Sequence, residues 1–208
     1  MGFPESLNRR WIFPVLLIAF LPGGLGAKSP FSSLSRRYSL SVEVGNWQPH
    51  SLNDEPRFNT FGAAGATPYF GVSFYIPVFQ RIGLSVSSGY WSLKDVSRVE
   101  SIHSLTLYPV TLCVKYWLIS DDRLAAYASY GGGVYWGIEN ESEPFGRVWS
   151  LARGGWGIIV GAGFELGLTR WLGAGMNFEY RLTGFKEPLG GVDDFSGPKI
   201  TAMFLVYF

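Results

Sequence analysis

The sequence ends on "ITAMFLVYF" at residues 200–208, with no polar tail after the last aromatic residue. Chain termini usually lie in water and fray, so an apolar terminus must be covered by protein or lie in a solvent other than water. Large and small apolar residues recur at every second position, and these are Ile200, Ala202, Phe204, Val206 and Phe208. The positions between them are mixed in polarity. A period of two predicts a strand with one wholly apolar face.

The composition is too apolar and too rich in glycine for an ordinary helical enzyme. Of the 208 residues, 47% are hydrophobic and 16% are charged, against about 25% charged residues in typical domains. The formal net charge is +1, which gives no reason to expect a nucleic-acid partner. The single cysteine, Cys113, excludes an intramolecular disulfide and a CxxC motif.

The first residues are typical of a secretory signal peptide. The basic "NRR" (8–10) precedes the apolar "WIFPVLLIAFL" (11–21), and the small-residue stretch "PGGLGA" (22–27) follows it. The apolar run is about half of the roughly 20 residues that a spanning helix needs. We therefore expect a signal peptide over 1–27, cleavage after Ala27, and one exported domain over 28–208.

Eight stretches of the mature chain alternate with period two. They are residues 37–46, 66–76, 82–92, 105–117, 124–136, 155–168, 171–181 and 198–208. Along each, one face carries large apolar residues and the other carries glycine, small polar and charged residues. A soluble sandwich has large apolar residues inside and few glycines within strands, whereas a narrow polar lumen requires the reverse.

The links between these stretches alternate between short and long. The short ones are 77–81, 118–123 and 169–170, and the long ones are 47–65, 93–104, 137–154 and 182–197. Bacterial outer-membrane barrels have this asymmetry, with short periplasmic turns and long external loops. The sequence thus predicts an all-β fold: an eight-stranded antiparallel up-and-down transmembrane β-barrel that follows an N-terminal signal peptide and lies in the bacterial outer membrane.

Six tryptophans lie at or near predicted strand ends, where aromatic rings favour the two headgroup levels of a bilayer. We predict an aromatic girdle formed by Trp47, Trp91, Trp117, Trp136, Trp156 and Trp171.

Parity places six charged residues inside the barrel, namely Glu43, Lys115, Glu165, Glu179, Arg181 and Lys199. Three acids balance three bases, and buried charges persist only when they are paired and hydrogen-bonded. An eight-stranded barrel is just wide enough to be filled by side chains. We predict an internal ion-pair network that plugs the lumen; a small gated pore is the alternative.

The last strand resembles the C-terminal recognition signal of bacterial outer-membrane barrels. That resemblance implies that the barrel-insertion machinery reads Phe204, Val206 and Phe208. The segment "GAGFELGLTRWLGAGMNFEYR" (161–181) resembles the penultimate hairpin of small barrels of the OmpA, OmpX and OmpW type. This resemblance extends over essentially the whole mature chain in pattern, and it also implies a plugged lumen.

No arrangement in the sequence favours catalysis, a metal site or a cofactor. Some barrels of this size are lipid A-modifying enzymes, but the His-x-Ser spacing of the lipid A deacylases is absent. His103 and Ser104 are adjacent on a predicted strand and so point to opposite faces. The acidic stretch "ENESE" (139–143) lacks the spacing of an EF-hand calcium loop. We expect a protein that is not an enzyme and has no cofactor, metal site or catalytic residues.

Three functions remain open at this point. The first is a structural or surface-interaction role, with external loops that contact lipopolysaccharide or a partner and a barrel that contacts outer-membrane lipids as a monomer. The second is a small pore or channel for small hydrophobic solutes, which an apolar external half of the lumen would support and a continuous charged plug would contradict. The third is a lipid A-modifying enzyme.

Overall fold

A computed structural model of the protein describes residues 34–54, 67–98, 101–121, 123–142 and 148–208. The predicted signal peptide lies outside these residues. Within them, a 3-10 turn (Leu34–Arg36) and a short helix α1 (Ser51–Asp54) accompany nine strands. The strands are β1 Ser39–Trp47, β2 Pro68–Pro77, β3 Ile82–Arg98, β4 Ser101–Ser120, β5 Leu124–Ser142, β6 Val148–Gly167, β7 Leu172–Leu189, β8 Val192–Asp194 and β9 Gly197–Tyr207.

Eight of these strands close into an antiparallel barrel. Each pairs with the next along the chain from β1 to β7, β7 then pairs with β9, and β9 pairs with β1. At the closing seam Glu43 of β1 lies opposite Met203 of β9, while on its other side it lies opposite Gly71 of β2. The three-residue strand β8 pairs only with β7. The predicted all-β, eight-stranded up-and-down barrel is confirmed.

The two faces of the wall differ in polarity along every complete strand of the barrel. Val42, Ile158 and Phe204 point outward and are about half exposed. The residues that alternate with outward ones point inward, and many of them are small and polar, as Ser41 and Ser73 are, or charged, as Glu43 is. An apolar surface that extends around the barrel is far larger than the patches soluble monomers expose. Its solvent is therefore the bilayer interior. No helix in the described parts of the chain is long and apolar enough to cross a membrane.

Five consecutive strands are longer than a membrane crossing requires. Strands β3 to β7 have 17 to 20 residues, whereas a tilted strand needs about 9–11 to cross a bilayer. The predicted links 93–104 and 137–154 are therefore wrong in large part, because they are mostly strand. Where paired strands lie in water, neither face has to be apolar. The alternation of apolar and polar residues that identifies a strand is therefore lost in those parts of the sequence. The predicted link 182–197 is also wrong in part, because it contains the last residues of β7 and the whole of β8.

Three of the predicted girdle tryptophans do not face lipid. Trp47, Trp91 and Trp117 are inward and at most 2% exposed, so the girdle prediction is wrong for them. Each lies at an inward position, where the barrel interior accommodates large rings. Trp136, Trp156 and Trp171 point outward and are 52–62% exposed.

Tyrosine rings of the interior lie across glycines of the adjacent strand. A Cβ atom added to a glycine would collide with the ring that covers it. The pairs are Tyr75 with Gly83, Tyr69 with Gly89, Tyr127 with Gly163, and Tyr207 with Gly173. Inward glycines therefore provide the space that the large inward rings occupy.

Candidate functional site

The described interior has three levels between the end with long links, here the external end, and the end with short turns, here the periplasmic end. The external level is a cluster of buried, mostly aromatic side chains from β1 to β5, β7, α1 and the segment 192–195. Its members are Trp47, Leu52, Tyr69, Trp91, Leu105, Leu107, Tyr135, Phe185, Leu189, Val192 and Phe195. Most contacts between these side chains are therefore apolar or aromatic.

The segment Leu189–Phe195, referred to below as the cap, folds inward over this external level. Gly190 and Gly191 have φ angles of 64° and 83°, a left-handed conformation that glycine adopts without the usual cost. The Gly190 amide donates a 2.8 Å hydrogen bond to Oε2 of Glu139 on β5. The Phe195 ring lies 5.1 Å from that of Phe185. The cap therefore supplies apolar groups to the interior.

The central level is a charged network. Lys199 Nζ lies 2.8 Å from Glu43 Oε2 and 3.2 Å from Glu179 Oε2. Arg181 donates from Nε and Nη2 to the same Glu179 oxygen, at 3.0 and 2.9 Å. Two acids thus face two bases, and the network is electrically balanced.

The periplasmic level combines a second ion pair with a chain of hydrogen-bonded rings. Lys115 Nζ lies 3.3 Å from Glu165 Oε1, and Tyr207 donates to Glu165 Oε2 at 3.2 Å. Trp117 Nε1 donates to the Tyr75 hydroxyl at 2.6 Å. That hydroxyl donates in turn to a carbonyl of the 3-10 turn, at 3.1 Å. The residues before β1 therefore form part of this end of the interior.

The structure places all six charges that parity assigned to the interior at inward positions, and it divides them into two groups. Glu43, Glu179, Arg181 and Lys199 form the central network, while Lys115 and Glu165 pair nearer the periplasmic end. Sequence reasoning missed Glu139 and the cap, because both lie in segments interpreted as loops. The adjacent glycines at 190–191 were the signal that a tight inward turn occurs there.

Several buried polar atoms have no hydrogen-bond partner among the described residues, the Tyr135 hydroxyl included, and two such donors belong to side chains that meet at the boundary between the external and central levels. They are Trp47 Nε1 and Arg181 Nη1, and both side chains are essentially inaccessible. The Arg181 guanidinium carbon lies 5.1 Å from the centre of the Trp47 ring. The Trp91 indole, at the same level, donates to the Trp47 carbonyl and to Thr67. Since buried polar groups are nearly always hydrogen-bonded, the two unpaired donors are unusual.

On the outer wall, a cleft of about 480 Å³ opens where β6 and β7 separate at the external end. Pairing between these strands ends at Gly155 opposite Phe185. The cleft is lined by Ala152, Arg153, Gly154, Gly155, Trp156, Lys186 and Glu187, and Arg153 forms an ion pair with Glu187. It adjoins the outward apolar face of β6, which begins at Trp156.

Within the described residues, no group of three or more histidine, cysteine, aspartate or glutamate side chains is arranged to hold a metal ion. The His50 ring lies 6.1 Å from the lipid-facing ring of Tyr180. The side chain of His103, the other histidine, lies outside the described part of the chain.

Known structures share this architecture. Neisserial surface protein A is 12% identical over 83% of this chain and 97% of its own, with a TM-score of 0.56. Ail, the attachment invasion locus protein of Yersinia pestis, is 13% identical over 82% of this chain and 95% of its own, with a TM-score of 0.50. Ail in complex with the heparin analogue sucrose octasulfate gives 0.51 at the same identity and coverage.

Comparison of the sequence with protein-family models and with curated proteins gives no match. At identities of 12–13% the structural likeness concerns the fold. It agrees with the closed ring of eight strands, the apolar outer face and the sequence resemblance to small barrels. The chain therefore has the fold of the small eight-stranded barrels of the bacterial outer membrane.

Proposed function

We propose that this chain is a closed outer-membrane barrel with a structural and surface-contact role, whose interior is plugged by the charged network and by the clusters above and below it. The observation that carries this proposal is the burial of the central charges. Arg181 and Lys199 are at most 1% exposed, although each is a long cation in a channel-shaped fold. A conducting pore would keep such groups in contact with water.

The surface role is supported by the part of the barrel that extends into the external medium. Strands β3 to β6 continue there as one antiparallel sheet. In the described part of the chain, residues 148–154 of β6 pair on the β5 side only. Such an edge exposes backbone donors and acceptors to which a partner strand can be added.

The cleft on the outer wall supports contact with lipopolysaccharide. Arg153 and Lys186 bring two cations to the headgroup level, and the outward ring of Trp156 lies beside them. Cations near an anionic membrane surface contribute about 1 kcal/mol each. Ail, which shares the fold, was solved with a polyanionic heparin analogue. We infer that this cleft receives phosphate groups of lipid A.

The plug is tested by conductance in planar lipid bilayers. We expect no regular conductance steps from the purified, refolded barrel, while an open porin in the same bilayers provides the positive control. Discrete steps at a reproducible amplitude would contradict the proposal and favour the small pore.

The lipid contact is tested by binding of purified lipopolysaccharide to the barrel in phosphatidylcholine nanodiscs. The change is Arg153→Ala with Lys186→Ala, and we expect affinity to fall by more than tenfold at low salt, at about fivefold for each cation lost. Arg123→Ala is the matched control, because Arg123 is an exposed cation at the periplasmic end. Equal loss in both variants would show that only net charge matters.

One observation favours a second candidate, passage of small hydrophobic solutes. The external level is apolar, as that function requires, although the charged network lies directly beneath it. A solute would then have to leave sideways through the wall. We infer no catalytic activity, and we expect a monomer that the barrel-insertion machinery recognises through Phe204, Val206 and Phe208.

A further inference from the structure

We propose that the external level is a binding chamber closed by the cap, and that its ligand is amphipathic, with an apolar body and an uncharged head that accepts hydrogen bonds. This inference rests on the proposed function in one respect only, which is that the barrel is closed beneath this level. It adds a ligand class and a binding site to the second candidate function.

The inward side chains of the cap are apolar and fill the chamber much as a bound apolar ligand would. These side chains, Leu189, Val192 and Phe195, are at most 8% exposed, while Asp193 and Asp194 point into the solvent. If the cap swung out, these three side chains would leave an apolar space enclosed by the rings of β1, β3, β5 and β7. An apolar ligand body of similar size would replace the same contacts.

The cap is also weakly attached compared with the barrel wall. Strand β8 has three residues and forms two ladder pairs with β7, Gly184 with Asp194 and Leu189 with Val192, with an irregular register between them. The Phe195 amide also donates to the Thr183 carbonyl of β7 at 2.8 Å, and the Gly190 amide donates to Glu139 on the opposite wall. Short, irregular elements with few hydrogen bonds are the parts of a protein that open locally.

The polar groups at the base of the chamber, next to the central level, determine which polar end a ligand can have. Within the part of the chain that the structure describes, Trp47 Nε1 and Arg181 Nη1 are buried donors without hydrogen-bond partners, and they belong to side chains in contact with each other. A ligand oxygen at this point would satisfy both. The charges beneath are already balanced, with Glu43 and Glu179 against Arg181 and Lys199. A carboxylate would add an unpaired buried anion, so a neutral amide, ester or alcohol fits better.

The experiment uses the full barrel in phospholipid nanodiscs, labelled with 5-fluorotryptophan and observed by fluorine NMR. Decanamide is the probe, decanoate the charged analogue, and decane the analogue without a head. We expect saturable shifts of the Trp47 and Trp91 signals with decanamide and at least tenfold weaker effects with decanoate. The Trp47→Phe variant removes one donor and should weaken decanamide about fivefold more than it weakens decane, as followed by the Trp91 signal.

A reversible lock tests the cap. A Cβ added at Gly137 of β5 would collide with the side chain of Leu189 in the cap. These two positions therefore face each other between β5 and the cap. The double variant Gly137→Cys, Leu189→Cys, in a Cys113→Ala background, should form a disulfide between β5 and the cap. We expect decanamide binding in the reduced protein and at least a tenfold loss in the oxidised protein.

Each outcome has a defined meaning. Equal binding in both redox states would overturn the cap as a gate, and no saturable shift in the reduced or native protein would overturn the chamber. Equal affinity for decanamide and decanoate would overturn the assignment of the head. None of these results alters the conductance test, so failure of the chamber and failure of the closed barrel are distinguishable.

Discussion

The two ends of the barrel interior are built from the same kinds of residue but are completed differently. At the periplasmic end, the indole of Trp117 donates to Tyr75, whose hydroxyl donates to the backbone before β1. At the external end, the indole of Trp47 has no partner among the described residues, and the covering segment is a short hairpin. The difference agrees with the proposal that the periplasmic end is a fixed closure and that the cap at the external end opens.

The largest expected effect concerns the periplasmic end. The Phe208 amide donates to the Tyr38 carbonyl at 2.9 Å, and its ring is exposed to lipid. Deletion of Phe208 should abolish accumulation of folded barrel in the outer membrane, because the last strand carries the predicted insertion signal. Electrophoretic mobility of boiled against unboiled membranes measures this. Phe208→Tyr keeps a terminal ring and should assemble normally; equal loss in both would mean that the ring itself is not what is read.

The next largest effect is expected in the central charged network, which lies between the two ends. Arg181→Met leaves Glu179 buried with Lys199 as its remaining cation partner. Breaking a buried ion pair typically costs about 3–5 kcal/mol, so the free energy of unfolding in lipid vesicles should fall by about that amount in a urea titration. Lys186→Met removes an exposed cation from the same strand and should change it by less than about 0.5 kcal/mol. A loss of less than about 1 kcal/mol in Arg181→Met would show that the network contributes little.

One substitution made at both ends sharpens the comparison directly. Trp117→Phe removes a donor that Tyr75 uses and should cost about 1–2 kcal/mol more than Trp47→Phe, whose donor has no partner among the described side chains and backbone. The loss of ring volume is the same in both, so it cancels in the difference. Parallel urea titrations measure it. Equal destabilisation would mean that the two ends are equally complete and would remove the basis of the comparison.

The smallest expected effect concerns the cap. Gly190→Ala places a side chain at a φ of 64° and should weaken the cap by about 1 kcal/mol. Hydrogen exchange of the Gly190 and Phe195 amides should then accelerate about fivefold, while amides of the periplasmic level keep their rates. Gly184→Ala, in the same hairpin but without a positive φ, is the control. A uniform increase over the whole barrel would indicate global rather than local opening.

The membrane-embedded part of the fold could be predicted from sequence because lipid makes strict demands. Every second residue must be apolar on the outside, so the parity of segments such as 155–168 places Glu165 on the inside. No comparable demand acts above the membrane. The upper parts of β3 to β6 and the cap therefore lack a pattern, and the predicted loops there were wrong.

The tryptophans show the limit of position as a guide. All six lie near the ends of the predicted strands, yet Trp47, Trp91 and Trp117 have inward parity and are buried. The alternation of inward and outward positions determines whether each tryptophan faces lipid or the interior. Placement near a strand end does not. The division of the six charges into two groups also needed the register between strands, because Lys115 and Glu165 are 50 residues apart in sequence.

The tyrosine–glycine pairs of the interior have a consequence for how such a chain can diverge. Because the Tyr75 ring occupies the space above Gly83, and the Tyr127 ring that above Gly163, neither member can change size alone. A larger residue at the glycine requires a smaller one at the tyrosine. Homologous sequences should therefore exchange the two members of each pair together, which would make these positions covarying markers of neighbouring strands.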